Sequence, residues 1–300
     1  MPVWVHLNGR LVAEGEARVS VFDRGFLYGD GVFESLRAVD GGVFRRDRHL
    51  ERLRRSAAGI GLDLPLPLPG FAAAIGDLLA ANRLRDARIR VTVTRGAGRP
   101  GEYVEAEGPA TVVLSAAGFA GLDPALHRDG VAVAILPRRQ IPPEALDPAI
   151  KSISRLSSVL ARREARDRGA FEAILLDGGG NLTEGTVSNL FLVRGGRLAT
   201  PPAPADGLPG ITREAVIELA RAASIPVAEE TLPARALLEA DEVFLTNTSW
   251  EVLPVVRAEG RPIGGGSPGP VTQDLFQRYR EMLRRECGAA AAAGDEGGRP

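Results

Sequence analysis

One side chain stands apart before any element is drawn. Of the 37 basic residues in the chain, Lys151 alone is a lysine and the others are arginines. Arginine keeps its proton under all ordinary conditions, whereas a lysine amine can lose it and attack a carbonyl carbon. The chain is rich in alanine, glycine and proline, the mark of a codon bias under which lysines needed only as charges drift to arginine. Lys151 is therefore a candidate Schiff-base lysine, the alternative being one surface lysine that survived by chance. The stretch LTEGTVSNLF sets Glu184, Thr186 and Ser188 at alternate positions, which on a strand share one face. A glutamate there breaks a good strand pattern, and local rules fail most often where function overrides them; taken alone, a solvated strand face is the simpler explanation. Gly210, Ile211 and Thr212 open a helical pattern, where unpaired backbone N–H groups and a hydroxyl suit an anion or simply cap the helix. Thr246, Asn247 and Thr248 sit at a strand end, where turn chemistry also places such residues. Together these are an amine nucleophile, a carboxylate and a phosphate cradle, the three parts a pyridoxal phosphate site needs.

Two domains are expected to position these residues, since 300 residues at roughly 150 per domain make two. Residues 1–118 form the first, 119–130 a linker, 131–287 a second domain carrying Lys151, and 288–300 a disordered tail. In the first domain, alternation predicts strands over 3–7, 10–13, 17–22, 32–39, 88–94 and 110–116, with helices over 48–60 and 71–82. The loop 95–108 has a length that often carries function. In the second, 131–136 reads as a strand and Lys151 leads into a helix through about Arg168. Strands follow over 171–176, 182–193 and 197–200, then a helix over 212–223. Strands over 227–231 and 242–246 flank a helical stretch over 234–240, and a helix over 271–285 closes the pattern. Strands and helices mix without strict βαβ alternation, which makes the class α+β.

Composition bounds the rest. The chain is 44% hydrophobic and 25% charged with a formal net charge of −1, so nothing global favours nucleic acid or an anionic membrane. Its one cysteine, Cys287, has no partner for an intramolecular disulfide, and no Cys/His spacing suits a metal. No apolar run is long enough to span a bilayer, and no basic segment followed by an apolar one opens the chain as a signal peptide does. A cytoplasmic protein is the expectation.

Six ordered motifs carry a resemblance. DRGFLYGDGVFESLR (23–37), RHLERL (48–53), KSISRLSSVLARREA (151–165), LTEGTVSNLFLV (182–193), LPGITREAV and ADEVFLTNTSWEVLPV (240–255) resemble the fold-type IV pyridoxal-phosphate enzymes. These are the class IV aminotransferases: branched-chain and D-amino-acid aminotransferases and the related 4-amino-4-deoxychorismate lyases. The resemblance runs from about Val3 to Tyr279 and implies their two-domain fold, with pyridoxal 5′-phosphate between the domains. It implies that Lys151 forms the Schiff base and then moves the proton, and that Glu184 keeps the ring nitrogen protonated. Arg52, in the His-x-x-Arg-Leu pattern, would bind the phosphate with Ile211, Thr212 and Thr248. Family members are dimers or larger, so a homodimer is implied.

The subfamily signals conflict. TEGTVSNLFLV, LPGITREAV and SPGPVT (267–272) resemble the aminotransferases, and Arg90 falls where branched-chain enzymes carry a pocket arginine. Their two tyrosines are replaced here by Arg88 and Leu156. The D-amino-acid enzymes carry a histidine after a TRG stretch that is absent here, leaving Arg99 as a substitute, and Phe33 replaces their active-site tyrosine. GDGVFESLR, TRGAG, GPAT (108–111) and Arg155-Leu156 resemble the lyases. Arg88, Arg90, Arg99 and Arg155 are candidate carboxylate binders, since a guanidinium matches a carboxylate with two hydrogen bonds. The first reading is an aminotransferase moving an amino group between a branched-chain or D-amino acid and a 2-oxo acid by a ping-pong route. The alternative is a lyase releasing pyruvate and 4-aminobenzoate, with a non-catalytic binding module and an (R)-selective amine transaminase behind it.

Overall fold

The computed structural model describes residues 3–99, 101, 106–203 and 207–296. It divides into two compact units, Met1–Ala120 with Ile150–Arg155 and Leu283–Pro300, and Gly121–Ala149 with Leu156–Met282.

The first unit is built on a six-stranded sheet. Its strands are β1 (Trp4–Leu7), β2 (Arg10–Ala13), β3 (Gly31–Val39), β4 (Gly42–Val43), β5 (Ala87–Thr94) and β6 (Thr111–Gly118), in the order β2-β1-β6-β5-β3-β4 with every pairing antiparallel. Helices α1 (Arg24–Tyr28), α2 (Arg46–Gly59) and α3 (Leu68–Asn82) accompany it. Alternation along β5 explains the packing: Ile89, Val91 and Val93 are buried with Leu50 and Leu53 of α2 and Phe71, Ile75 and Leu78 of α3, so Arg88, Arg90 and Thr92 fall on the other face. The expected strand over 17–22 is absent. Residues 17–20 have no regular structure and 21–22 form a turn into α1, which Asp23 caps by accepting the Gly25 N–H at 2.8 Å.

The second unit holds a ten-stranded mixed sheet. Its elements are α4 (Pro124–Asp129), β7 (Val131–Arg139), α5 (Leu156–Asp167), β8 (Glu172–Leu176), β9 (Asn181–Gly185), β10 (Asn189–Arg194), β11 (Arg197–Thr200), α6 (Ile211–Ala222), β12 (Val227–Glu229), β13 (Leu232–Pro233), α7 (Arg235–Leu238), β14 (Glu242–Asn247), β15 (Glu251–Ala258), β16 (Arg261–Pro262) and the first part of α8 (Pro270–Glu296), whose residues from Leu283 on are grouped with the first unit. The order is β12-β11-β10-β14-β15-β7-β8-β9-β13, with β16 on β15. β15 lies mid-sheet although the sequence reading drew no strand there. Its run EVLPVV is apolar without alternation, the pattern of a strand buried on both faces.

Three expectations meet a different structure. The linker over 119–130 contains α4, capped by Asp123. The last helix continues through the alanine run to Glu296, alanine being the strongest helix former; 297–300 lie outside the described residues. Lys151 precedes α5 instead of opening it. Residues 150–155 form no helix and, apart from the isolated Ser152 bridge, no strand; they belong with the first unit, where Phe33 donates its N–H to the Lys151 carbonyl at 2.9 Å, Ile153 to Gly31 at 3.0 Å, and Ser152 bridges Val32.

Candidate active site

In the first unit the site is organised around Phe33 of β3. The Lys151 ammonium lies 4.7 Å from the centre of its ring and the Arg90 guanidinium 4.0 Å. Lys151 is fixed at its backbone, where its N–H donates to the Ser56 Oγ of α2 at 3.0 Å and its carbonyl accepts from Phe33. Arg90 donates to Thr92 Oγ1 at 3.1 Å. Burial, and then the charge of Arg155, push its guanidinium below the ordinary value. Phe33, Arg90, Lys151 and Arg155 thus form one neighbourhood. Arg99 does not join it: it is exposed and ion-paired with Glu107. Arg88 lies near the other end of β5, over Phe119 at 5.1 Å. Part of the loop 95–108, Pro100 and residues 102–105, falls outside the described residues.

Behind this face Arg52 joins a buried charged cluster whose other members, Glu34 and His49, the sequence reading did not single out. Arg52 of α2 donates through Nε and Nη2 to the two carboxylate oxygens of Glu34, at 2.7 and 2.8 Å. His49 Nδ1 lies 2.8 Å from the second oxygen. Burial resists ionisation of Glu34, but the Arg52 charge and hydrogen bonds, with His49, outweigh it and hold the carboxyl far below the ordinary range. Burial lowers His49, Glu34 opposes, and the Arg52 and Lys151 charges lower it further. His49 is therefore neutral near pH 7 and donates its Nδ1 proton to Glu34. A signal was present: Glu34 interrupts the apolar run GVFESL, and His49 and Arg52 share a helix face at i, i+3.

In the second unit Glu184 lies on β9, buried. Its carboxylate accepts from Gln140 Nε2 at 2.9 Å, the Leu208 N–H at 2.9 Å and, more weakly, Asn189 Nδ2 at 3.5 Å. Asn189 Nδ2 also donates to the Leu208 carbonyl at 2.9 Å, tying Glu184 to the segment that opens α6. Glycines are needed on that segment: a Cβ on Gly207 would lie 2.8 Å from Glu184 Oε2, and one on Gly210 2.0 Å from Asn189 Oδ1. Ile211 and Thr212 begin α6, and the first intrahelical bond is Glu214 N–H to the Gly210 carbonyl, so their own N–H groups precede the ladder. Thr246 pairs with Asn189 across β14 and β10, and its Oγ1 is buried without a hydrogen-bond partner. Thr248 follows in the next turn. The expected single strand over 182–193 is broken at 186–188, so Thr186 and Ser188 do not share a face with Glu184. Both turn towards Glu172 instead, at 2.6 and 3.4 Å.

The donor set of each unit suits pyridoxal phosphate. One offers an amine and a phosphate-binding type of guanidinium; the other offers an oriented carboxylate, helix-start N–H groups and an orphaned hydroxyl. A model of the amino-transferase class IV family matches residues 31–258, most of the chain.

The chain belongs to the class IV aminotransferases.

Two relatives and two solved structures extend the match over nearly its whole length. A Methanocaldococcus jannaschii protein assigned as a branched-chain-amino-acid aminotransferase is 42% identical over 93% of this chain and 96% of its own. The D-alanine aminotransferase of Bacillus licheniformis is 36% identical over 94% and 98%. The branched-chain amino acid aminotransferase structure from Escherichia coli superposes with a TM-score of 0.91 at 33% identity, over 95% of this chain and 96% of that one. The Thermobaculum terrenum enzyme, solved in its pyridoxal-phosphate form, gives 0.87 at 26%, over 97% of both. These establish the α+β class IV fold and an aminotransferase as the enzyme type; the lyase alternative draws no support from them. Among the described residues no helix is long and apolar enough to cross a membrane.

Proposed function

We propose that this class IV aminotransferase uses pyridoxal 5′-phosphate to move an amino group between an amino acid of branched-chain or D-amino-acid type and a 2-oxo acid, in two alternating half-reactions. The observation that carries the reading is the chain's lone lysine, backbone-anchored to Ser56 and Phe33 with its amine over the Phe33 ring. When bound, the cofactor supplies an aldehyde that captures amines and a ring that withdraws electrons. Lys151 holds it and then takes and returns the proton at the substrate Cα. Glu184 keeps a proton on the ring nitrogen, its oxygens oriented by Gln140 and the Leu208 N–H. Phosphate-binding roles fall to Arg52 in the first unit and to the Ile211 and Thr212 N–H groups and the Thr248 hydroxyl in the second. Phe33 walls the substrate side. Arg90 and Arg155 bind substrate carboxylate, a role supported by the mutual repulsion that an anion would relieve. Arg99, already paired with Glu107, is left a lesser part.

The same reading includes a homodimer. Val21, Phe22 and Phe26 stand 64%, 48% and 74% exposed on one short segment of the first unit, and clustered apolar exposure marks interaction surfaces.

The test is the absorbance spectrum of the purified protein, with L-leucine, L-glutamate and D-alanine added singly and no 2-oxo acid. Loss of the cofactor's visible band with one donor supports transamination and gives its chirality. A band that no donor alters, or no band at all, sinks the proposal. Lys151→Arg is expected to lose the band and at least about a thousandfold in turnover while staying folded.

A further inference from the structure

We infer that Glu34, with His49, is the positioning element that aims Arg52 at the cofactor phosphate; this rests on the proposal that Arg52 binds that phosphate. The geometry is specific. Arg52 is nearly fully buried and presents its Nε/Nη2 edge to Glu34 in a two-bond fork at 2.7 and 2.8 Å. A fork of this kind fixes the plane of the guanidinium as well as its place, so the directions of its other N–H groups are set by Glu34. His49 fixes Glu34 in turn, at 2.8 Å. The cluster sits directly behind the Lys151 face, because Glu34 and Phe33 are consecutive on β3 and point to opposite sides.

Stability alone does not account for these residues. Val32, Leu36, Leu50 and Leu53 surround the same positions as fully apolar core. Replacing a buried ion pair by packed apolar side chains is often neutral or stabilising. A cluster that breaks the apolar pattern at three positions is better explained by what it orients. The pair also lets a guanidinium stay buried before any phosphate arrives, since an unpaired buried charge is costly. On binding, a pre-aimed arginine loses little rotamer freedom, and preorganisation of this kind favours affinity.

The test separates phosphate recognition from folding. Apoenzyme affinity is measured for pyridoxal 5′-phosphate and for pyridoxal, which lacks the phosphate, in the wild type and in Arg52→Ala, Glu34→Gln, His49→Phe and the Glu34→Gln/Arg52→Ala double variant. Arg52→Ala checks the underlying reading: an unchanged ratio of the two affinities means that Arg52 does not bind the phosphate, and the reading beneath this inference falls. With that ratio lowered by Arg52→Ala, Glu34→Gln is expected to lower it about tenfold or more, as outer partners of binding groups do. Pyridoxal affinity should hold, and the double variant should lose nothing beyond Arg52→Ala. His49→Phe should lower the ratio by a smaller factor, and it decides the matter if Glu34→Gln fails to fold. An unchanged ratio in both variants, or equal losses for the two ligands, overturns the positioning role.

Discussion

Two buried glutamates, one in each unit, meet opposite fates. Glu34 and Glu172 are both fully shielded from solvent, and burial opposes ionisation of each. Glu34 nonetheless lies far below the ordinary carboxylate value, because a buried guanidinium bonds both its oxygens. Glu172 is raised. Its partners are the Thr186 hydroxyl at 2.6 Å, its neighbour's N–H at 2.9 Å, the Ser188 hydroxyl at a weak 3.4 Å, and Arg162 at a loose 3.5 Å, 39% exposed and screened. Hydroxyl and amide donors favour a carboxylate, but not by enough to offset desolvation without a close full charge. Burial sets the cost of a charge, and the geometry of its partner decides whether the charge survives. The first unit uses that to keep an ion pair beside Lys151. The second uses a carboxyl as a peg: Glu172 gathers Thr186 and Ser188 of the turn directly after Glu184.

The sharpest way to break the comparison is to remove the partner of Glu34. Arg52→Ala strands a buried carboxylate, and a loss of about 3–5 kcal/mol is expected in chemical denaturation. The Glu34→Ala/Arg52→Ala double variant should recover part of it. A single-variant loss no larger than that of a surface change would mean that the fork does not hold Glu34. The sign with pH follows from the depressed value: the stability Glu34 contributes is present above the ordinary 4.5 and is lost only as pH falls through its much lower folded value. In acid titrations followed by circular dichroism, that contribution should outlast those of ordinary carboxylates.

A smaller effect is expected where the partner is a hydroxyl. Thr186→Val removes the short bond to Glu172, at an expected cost of about 1–3 kcal/mol. The loss should grow with pH, since the hydroxyl favours the ionised form. Equal losses at pH 5 and pH 8 would show that Thr186 acts through packing alone.

Glu172→Gln keeps an acceptor for Thr186 and removes the titration. A raised carboxyl stabilises the fold relative to its ionised state below the ordinary 4.5, and the wild type loses that advantage as pH rises through the folded value. The variant should therefore gain on the wild type as pH rises above 4.5, because only the wild type must lose a proton that the folded state holds more tightly than the unfolded one. Parallel stability curves for the two proteins would refute a raised Glu172.

How much of this could be read beforehand depends on the range of the interaction. Local signals sufficed for α2, β3, β5 and α6, where alternation, helical period and a glycine before the first turn agree with the packing. The lone lysine singled out Lys151 by composition, and the family motifs pointed to Glu184, Ile211 and Thr212. What escaped was set by distant partners. Lys151 reads as the start of a helix until Phe33 and Gly31 pair with its segment. The strand over 182–193 reads as continuous until Glu172 claims Thr186. Gln140 lies in a proline-rich stretch with no period, and only the fold brings it to Glu184. Glu34 alone left a visible trace, a carboxylate inside an apolar run.

The finest test concerns the arginines on the two sides of the comparison. Arg162 approaches Glu172 at 3.5 Å with its guanidinium 5.0 Å from the Trp250 ring and 5.7 Å from Phe171. Its half-exposed head loses little hydration, so its attraction to Glu172 is weakened by water and by salt. Arg162→Gln should cost under about 1 kcal/mol in dilute buffer, and the loss should shrink further in 0.5 M salt, which is well inside the range where a Debye length falls below about 5 Å. The ring contacts set a floor, because a guanidinium over an aromatic face retains about 0.5–1 kcal/mol at exposed sites. Arg52, sealed from solvent on its side of the molecule, should show a loss that salt does not change. A salt-insensitive Arg162→Gln, or a salt-sensitive Arg52→Ala, would mean that exposure of the partner is not what separates the two glutamates.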